Sequence, residues 1–172
     1  MPETWRIPDE ALDHSMKEMA IDGAIGREGI AMWLGRYEGN TAIVSHIAVL
    51  RGPEVRKLRD QISIGSALLN EIADAGIEHR VTLIGQIHSH GPQHGVWLSP
   101  TDKRYGIAVA GYLSVIAPDY ATRPSTRIGD CGVHLFENKT GWRRLSLAEV
   151  ERRIVTGRGG QVPVLTIGSA AP

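Results

Sequence analysis

Residues 81–102 read VTLIGQIHSHGPQHGVWLSPTD, and three signals meet in this stretch. Residues 81–88 form a β-rich apolar run, the pattern of a central strand. His88 and His90 stand at its end. Side chains two apart on a strand project from the same face, so the two imidazoles can meet one ion. A glycine-containing loop, residues 91–98, lets the chain turn back. Ser99-Pro100-Thr101-Asp102 then has the form of a helix start, with serine at the N-cap, proline at the first helical position and aspartate in the first turn. There the Asp102 carboxylate can supply an oxygen ligand. Three protein ligands leave a fourth tetrahedral position open, which is the arrangement of a catalytic rather than a structural zinc site. Each half has a plainer reading, since S-x-x-D alone is a helix cap and H-x-H alone is a weak metal signal. The metal reading rests on the two together across one loop.

Outward from this segment the chain alternates strand and helix patterns. Residues 8–21 carry Ala11, Leu12, Met16, Met19 and Ala20 near helical spacing, with Asp9 as the expected cap and Gly23 and Gly26 beyond the end. Residues 29–37 and 41–50 read as a hairpin about Glu38-Gly39-Asn40. Residues 51–61 are polar and read as a surface insertion. Residues 63–75 place Ile64, Ala67, Leu68, Ile72 and Ala73 on one helical stripe, with Gly76 as the expected terminator. After the helix start at Ser99, residues 99–110 read as a third helix and 112–117 as a buried strand. A polar loop over 119–130 leads to a late hairpin of 132–137 and 142–145. Residues 146–154 read as a short helix in which Glu149 completes a capping box with Ser146. Residues 157–160 read as a flexible link, and 162–167 as an edge strand despite Pro163. The mixture predicts an α/β (α+β) layered fold, a mixed β-sheet flanked by helices. A single domain is expected over residues 1–172, with its core at about 7–145 and a C-terminal helix and tail over 146–172.

The 172 residues suffice for one sizeable core, and 19 basic against 19 acidic residues leave no net charge to attract nucleic acid or an anionic membrane. The start, MPETWRIPDE, lacks the basic and apolar segments of a secretory signal. The longest apolar region, residues 107–117, is shorter than the roughly 20 residues a bilayer needs. With Cys131 as the single cysteine, a cytoplasmic setting is the natural expectation. His94 lies in the same loop as the histidine pair and is an alternative ligand to Asp102, or a substrate contact. His14, His46, His79 and His134 have no partner at ligand spacing. Cys131 and His134 are three apart, which on a strand means opposite faces and argues against a cysteine nucleophile. The arginines at 143, 144, 152, 153 and 158 read as a solvated face, or else as a docking surface for an acidic partner. Residues 157–160 lack the lysine and serine of a phosphate loop. The H-x-E and P-C-x-x-C pair of a zinc deaminase is also missing.

His88-Ser89-His90, Trp97-Leu98-Ser99 and Asp102 together resemble the signature of the JAB1/MPN/Mov34 (JAMM) metallopeptidases. The upstream segment Glu28-Gly29-Ile30-Ala31-Met32-Trp33-Leu34-Gly35 is similar to the family's glutamate-bearing strand, at a separation from His88 typical of the family. The resemblance covers roughly residues 7–145 and rests on separated polar residues that agree in type and order. It departs from the family in three places. Gly91 stands where proline often follows the second histidine, the loop to Ser99 is slightly long, and Ala31 replaces a common glycine. The resemblance implies an MPN/JAB domain with layering like that of cytidine deaminases. It implies one zinc ion per chain, with a catalytic water, held by His88, His90 and Asp102. Glu28 would be the general base and acid, and Ser99 the oxyanion donor. The implied reaction is cleavage after the C-terminal glycine of a ubiquitin-like protein, in deconjugation or in precursor maturation. E1- and E2-like enzymes of a conjugation or antiviral-defence operon would be the partners. Release of an amino acid such as cysteine from a sulfur-carrier protein is an alternative at the same site. A non-catalytic MPN scaffold is another, against which the intact set of five residues argues. The insertions over 51–61 and 119–130 are the expected places of substrate recognition.

Overall fold

The structure is a computed structural model that describes residues 1–168, so residues 169–172 of the expected tail lie outside the described residues. Trp5 and Ile7 are buried on either side of exposed Arg6 along strand β1 (Thr4–Pro8), an alternation too short to register in the sequence. Helix α1 (Asp9–Gly23) follows at once. Pro8 occupies its N-cap and no side chain caps it, so Asp9 does not play the expected role. The Asp9 carboxylate sits in the first turn instead, against the positive end of the helix dipole.

Strands β2 (Ile30–Glu38) and β3 (Thr41–Leu50) pair antiparallel, as the hairpin pattern predicts, and Gly39 takes the positive φ that their turn requires. The insertion at 51–61 is more ordered than expected. Strands β4 (Val55–Lys57) and β5 (Ile62–Ile64) form a separate two-stranded sheet. Helix α2 (Ser66–His79) therefore starts later than predicted, because Ile64 belongs to β5. It also runs past Gly76, and Arg80 ends it by taking the left-handed conformation at φ 54.

Strand β6 (Thr82–Ser89) runs antiparallel to β2 and parallel to β7 (Leu113–Ala117), which makes it a central strand as expected. Helix α3 (Pro100–Tyr105) is much shorter than the predicted 99–110. Gly106 leaves it with extended backbone, and Ile107 packs on the core beneath α2 rather than continuing a helical stripe. Two 3-10 turns, Asp119–Ala121 and Ile128–Asp130, shape the polar loop before strands β8 (Gly132–Glu137) and β9 (Gly141–Arg144).

Ser146 and Glu149 cap helix α4 (Leu147–Arg153) reciprocally, as predicted. Where a helix end and a flexible link were expected, strand β10 (Ile154–Gly157) pairs parallel with β1. Strand β11 (Val164–Ile167) pairs parallel with the second half of β3, and Pro163 stays outside the strand and offers only its carbonyl, to Ile47 N–H. The large sheet runs β10-β1-β3-β2-β6-β7-β8-β9 and is mixed, with helices on both faces.

The faces of β2 explain the layers. Ala31 and Trp33 join the core beneath α1, with Trp5, Ile7, Leu12, Met19 and Ile87. Ile30, Met32 and Leu34 join the core beneath α2, with Leu68, Ile72 and Ile167. A strand buried on both sides must be apolar throughout, as residues 30–34 are. Register pairs Ile30 with His88 and Met32 with Gln86, so His88 emerges on the α2 face at the end of β6.

Ser15 locks α1 to the sheet: its hydroxyl donates to Ala11 O at 2.8 Å and accepts from the buried Trp33 indole at 3.0 Å. Ser15→Ala strands that indole N–H in the core. The expected loss is about 1–3 kcal/mol of unfolding free energy in urea titrations, with the denaturant slope unchanged.

Candidate metal centre

His88 is the penultimate residue of β6 and His90 follows just past its end, where His90 N–H donates to Ala117 O at 2.9 Å. Continuing the β6–β7 ladder by this bond keeps the two-residue period through His90, so both rings face the same way. Both are buried. The loop of residues 91–98 then returns the chain to Ser99. The Ser99–Asp102 capping box closes in both directions: Asp102 N–H donates to Ser99 Oγ at 3.1 Å and Ser99 N–H to Asp102 Oδ2 at 2.7 Å.

That same Oδ2 lies 3.3 Å from His90 Nε2 and 3.7 Å from His88 Nε2, and the two Nε2 atoms are 3.2 Å apart. A tetrahedral ion with bonds of about 2.0–2.1 Å needs ligand atoms about 3.3 Å from one another. The triangle has that size, so His88, His90 and Asp102 can hold one metal ion. The carboxylate caps the helix and remains available as a ligand, so the two readings of S-x-x-D are not exclusive. The remote nitrogen of His90, Nδ1, lies 3.2 Å from Gly95 O, an acceptor that leaves Nε2 free for a metal.

Glu28 precedes β2 and brings Oε1 to 3.9 Å from His90 Nε2. Its backbone is held on two sides. Glu28 N–H donates to Leu58 O at 2.8 Å, and the next residue exchanges bonds with Ser89: Gly29 N–H to Ser89 Oγ and Ser89 N–H to Gly29 O, each at 2.9 Å. Residue 29 must be glycine, since a Cβ would meet the Met19 backbone at 2.5 Å. The β4–β5 turn thus roofs Glu28, and Lys57 anchors that turn to α1 through Asp22 at 2.7 Å.

Electrostatics follow from this burial. Desolvation pushes the Glu28 carboxyl up to about 8, with Asp102 and Asp60 adding to the rise and His90 opposing it. Burial drives the His88 imidazole below its ordinary value, partly offset by Asp102. Burial also lowers His90, but the hydrogen bond its ring donates to Asp102 and the charges of Glu28 and Asp102 outweigh it and leave the ring raised. Burial alone would raise Asp102; the bonds to His88 and His90 hold it far below the usual carboxylate range.

The structure brings together His88, His90, Asp102, Ser99 and Glu28. His94 stays outside the cluster, exposed, with its ring centroid 6.3 Å from that of His90. His46 and His79 pack on each other at 5.4 Å, away from the cluster. Burial and the neighbouring Asp130 push the Cys131 thiol up to about 12, so it carries no thiolate at neutral pH. The arginine set is partly spent on the fold. Arg143 bridges Glu137 and Glu149, Arg144 stacks on Trp97 at 4.0 Å, and Arg153 donates to Glu3 O at 2.9 Å.

Other residues of the site carry no motif. Asp119, Tyr120 and Ala121 are three consecutive non-glycine residues at φ 51, 54 and 57, a conformation costing about 1–2 kcal/mol each. This left-handed turn sends Tyr120 N–H to His90 O at 2.7 Å and Tyr120 Oη to Arg59 O at 3.0 Å. It also seats the Tyr120 ring where a Cβ on residue 91 would lie, 2.6 Å away, which is why glycine follows His90. Gln86, two residues before His88, faces the site as well; the two-residue period that pairs the histidines was the signal that could have found it.

No family profile and no curated protein matches the chain. Among solved structures it is similar to a protein of Desulfitobacterium hafniense determined in solution as a structural-genomics target. The TM-score is 0.62 at 16% identity, over 91% of this chain and 94% of that one. A likeness at this identity supports the mixed α/β architecture. Among the described residues no helix is long and apolar enough to cross a membrane.

Two outcomes test the centre. Asp102→Asn keeps an oxygen acceptor for Ser99 N–H but removes the charge shared with the histidines. Metal affinity should fall by more than about 100-fold, beyond the range of supporting residues, and metal-free stability at neutral pH should fall as well, because the ionised carboxylate that His88 and His90 favour in the fold is lost. Unchanged affinity in a chelator competition would reduce Asp102 to a helix cap. Glu28 ionises near 4.5 when unfolded and at about 8 when folded. Its folded form is favoured below the lower value and loses that advantage as pH rises through the upper one. Glu28→Gln should therefore flatten the decline of metal-free stability between those pH values, by on the order of a few kcal/mol in urea unfolding.

Proposed function

We propose that this protein is a zinc-dependent peptidase or isopeptidase of the JAB1/MPN/Mov34 (JAMM) type, cleaving after the C-terminal glycine of a ubiquitin-like protein. The observation that carries the reading is the triangle of His88 Nε2, His90 Nε2 and Asp102 Oδ2, 3.2–3.7 Å on a side, with the Glu28 carboxylate beside it. Two imidazoles and one carboxylate favour zinc over calcium or magnesium, which prefer oxygen ligands. Held there, zinc supplies Lewis acidity and lowers the pKa of a coordinated water to about 7.

The protein's own groups have complementary roles. Glu28 takes the proton of the attacking water and returns it to the leaving amine. Burial, with the charges of Asp102 and Asp60 adding to it and His90 opposing, pushes its carboxyl up to about 8, and a nearby cation would favour the charged form, bringing the group down toward the range of a working base. Ser99 Oγ already accepts from Asp102 N–H, which leaves the hydroxyl proton free to donate to a developing oxyanion. Gly91, the departure from the family pattern, fits the reading because it makes room for Tyr120 without displacing a ligand.

A cavity of about 390 Å³ extends from His88 and Asp102 between Ile30, Ile62, Ile64 and Ile107. Leu58 N–H bonds to Gln61 O and Gly65 N–H to Glu54 O, so the antiparallel alternation turns the backbone groups of Ile62 and Ile64 away from β4. That unpaired edge suits an extended, narrow peptide ending in glycine, added as a further strand. Strand β5, with the insertion over 51–61 that leads into it, is thus the proposed recognition element for the modifier's tail. Its conjugation enzymes, E1- and E2-like, are the proposed wider partners.

The test is a panel of ubiquitin-like proteins carrying a reporter after the terminal glycine, incubated with zinc-loaded protein. Zinc-dependent release is expected, with about one zinc per chain by elemental analysis. Glu28→Ala should keep the zinc and lose cleavage by about 10²–10⁴-fold. Full cleavage by that variant would remove Glu28 from the chemistry, and no zinc-dependent release from any substrate would sink the reading.

A further inference from the structure

We infer that Gln86 is the positioning residue for His88, accepting the His88 Nδ1 proton through its side-chain carbonyl whenever Nε2 binds a metal. The inference rests on His88 being a ligand and is independent of the reaction proposed above. His88 turns Nε2 toward His90 and Asp102, at 3.2 and 3.7 Å. A ligating nitrogen must be bare, so the single proton of the neutral ring must sit on Nδ1. A buried N–H needs an acceptor. His90 meets that need with Gly95 O at 3.2 Å. At His88 Nδ1 the Gln86 side-chain amide is in reach, and in the present rotamer its Nε2 end lies 3.5 Å away.

Gln86 is placed for this by the sheet. It lies two residues before His88, on the same face of β6, opposite Met32 on one side and Ser114 on the other. Its amide is held at both ends. Tyr112 Oη, from a buried tyrosine, donates to Oε1 at 3.1 Å, and Nε2 lies 3.5 Å from Ser114 Oγ. A half-turn of the terminal amide exchanges the two ends, pointing the carbonyl at His88 Nδ1 and the NH₂ at the Tyr112 oxygen. The orientations differ in consequence. With NH₂ toward His88, Nδ1 must accept, the ring proton moves to Nε2, and the ring cannot ligate. With the carbonyl toward His88, Nδ1–H donates and Nε2 is bare. Amide orientation and ring tautomer are therefore coupled, and metal binding selects the carbonyl-inward state.

The test measures zinc, not cleavage. Zinc affinity is determined by competition with a chromogenic chelator for the wild-type protein, Gln86→Met and Gln86→Glu. Met keeps the bulk and removes the acceptor, so the dissociation constant should rise about 10–100-fold; Glu keeps the acceptor and should bind as tightly as the wild type or tighter. Imidazole ¹⁵N spectra of the zinc-loaded wild type should show His88 protonated at Nδ1. Equal affinity for wild type and a folded Met variant overturns the inference, as does a Glu variant that weakens as Met does. If the Met variant fails to fold, the Glu variant and the tautomer decide, and an unprotonated Nδ1 counts against Gln86. Wild-type protein that binds zinc but cleaves nothing sinks the peptidase reading alone. Wild-type protein that binds no zinc sinks both.

Discussion

One carboxylate oxygen ties the local structure of this protein to its candidate metal centre. Asp102 Oδ2 receives Ser99 N–H at 2.7 Å and stands 3.3 and 3.7 Å from two imidazole nitrogens. The first contact fixes where α3 begins; the others fix what that beginning faces. Because the cap orients the carboxylate before any ion arrives, little side-chain freedom is lost on closing the triangle. Gly106 N–H closes the six-residue helix on Asp102 O at 2.8 Å.

The second constraint is the dryness of Glu28. A carboxylate in this position needs a roof, and the fold assembles one from distant parts. Leu58 O binds its backbone from the β4–β5 turn, Ser89 braces the next residue from β6, and Tyr120 ties the same turn to the loop beyond β7. The anchoring Lys57 is nearly buried between Asp22 and Glu18, where breaking the pair would leave a charge uncompensated. The strained turn at Asp119–Ala121 persists because it meets Gly91, His90 O and Arg59 O together. Strain of this kind gathers where geometry near a site is over-determined by its neighbours.

What was legible in advance follows from the range of the forces involved. The β2–β3 hairpin, the buried β6 and the Ser146–Glu149 capping box are written in periods of two, in turn residues and in offsets of three, all local quantities. The elements that differed from expectation are those decided by partners far away in sequence. β1 exists because β3 and β10 flank it, and β10 because β1 offers an edge. β4 and β5 need each other. Helix α3 ends early because Ile107 gains more from the core under α2 than from another helical turn. Asp9 does not cap because Pro8 already ends β1 and opens α1.

The amino-acid sequence alone determined the spacing of His88 and His90 on a strand, the helix start that carries Asp102, and the apolar run that makes β2 a doubly buried strand. These depend only on backbone period and capping, which act over a few residues. Only the tertiary structure decided that the three ligand atoms close to within tetrahedral reach, and that Glu28 arrives beside them under a roof. It likewise decided that Gln86 Nε2 lies 3.5 Å from His88 Nδ1, and that Gly95 O and Tyr120 N–H both meet His90. Those outcomes depend on sheet register and on loops folding over one another, and no local pattern encodes a distance between segments that meet only when the whole sheet has formed.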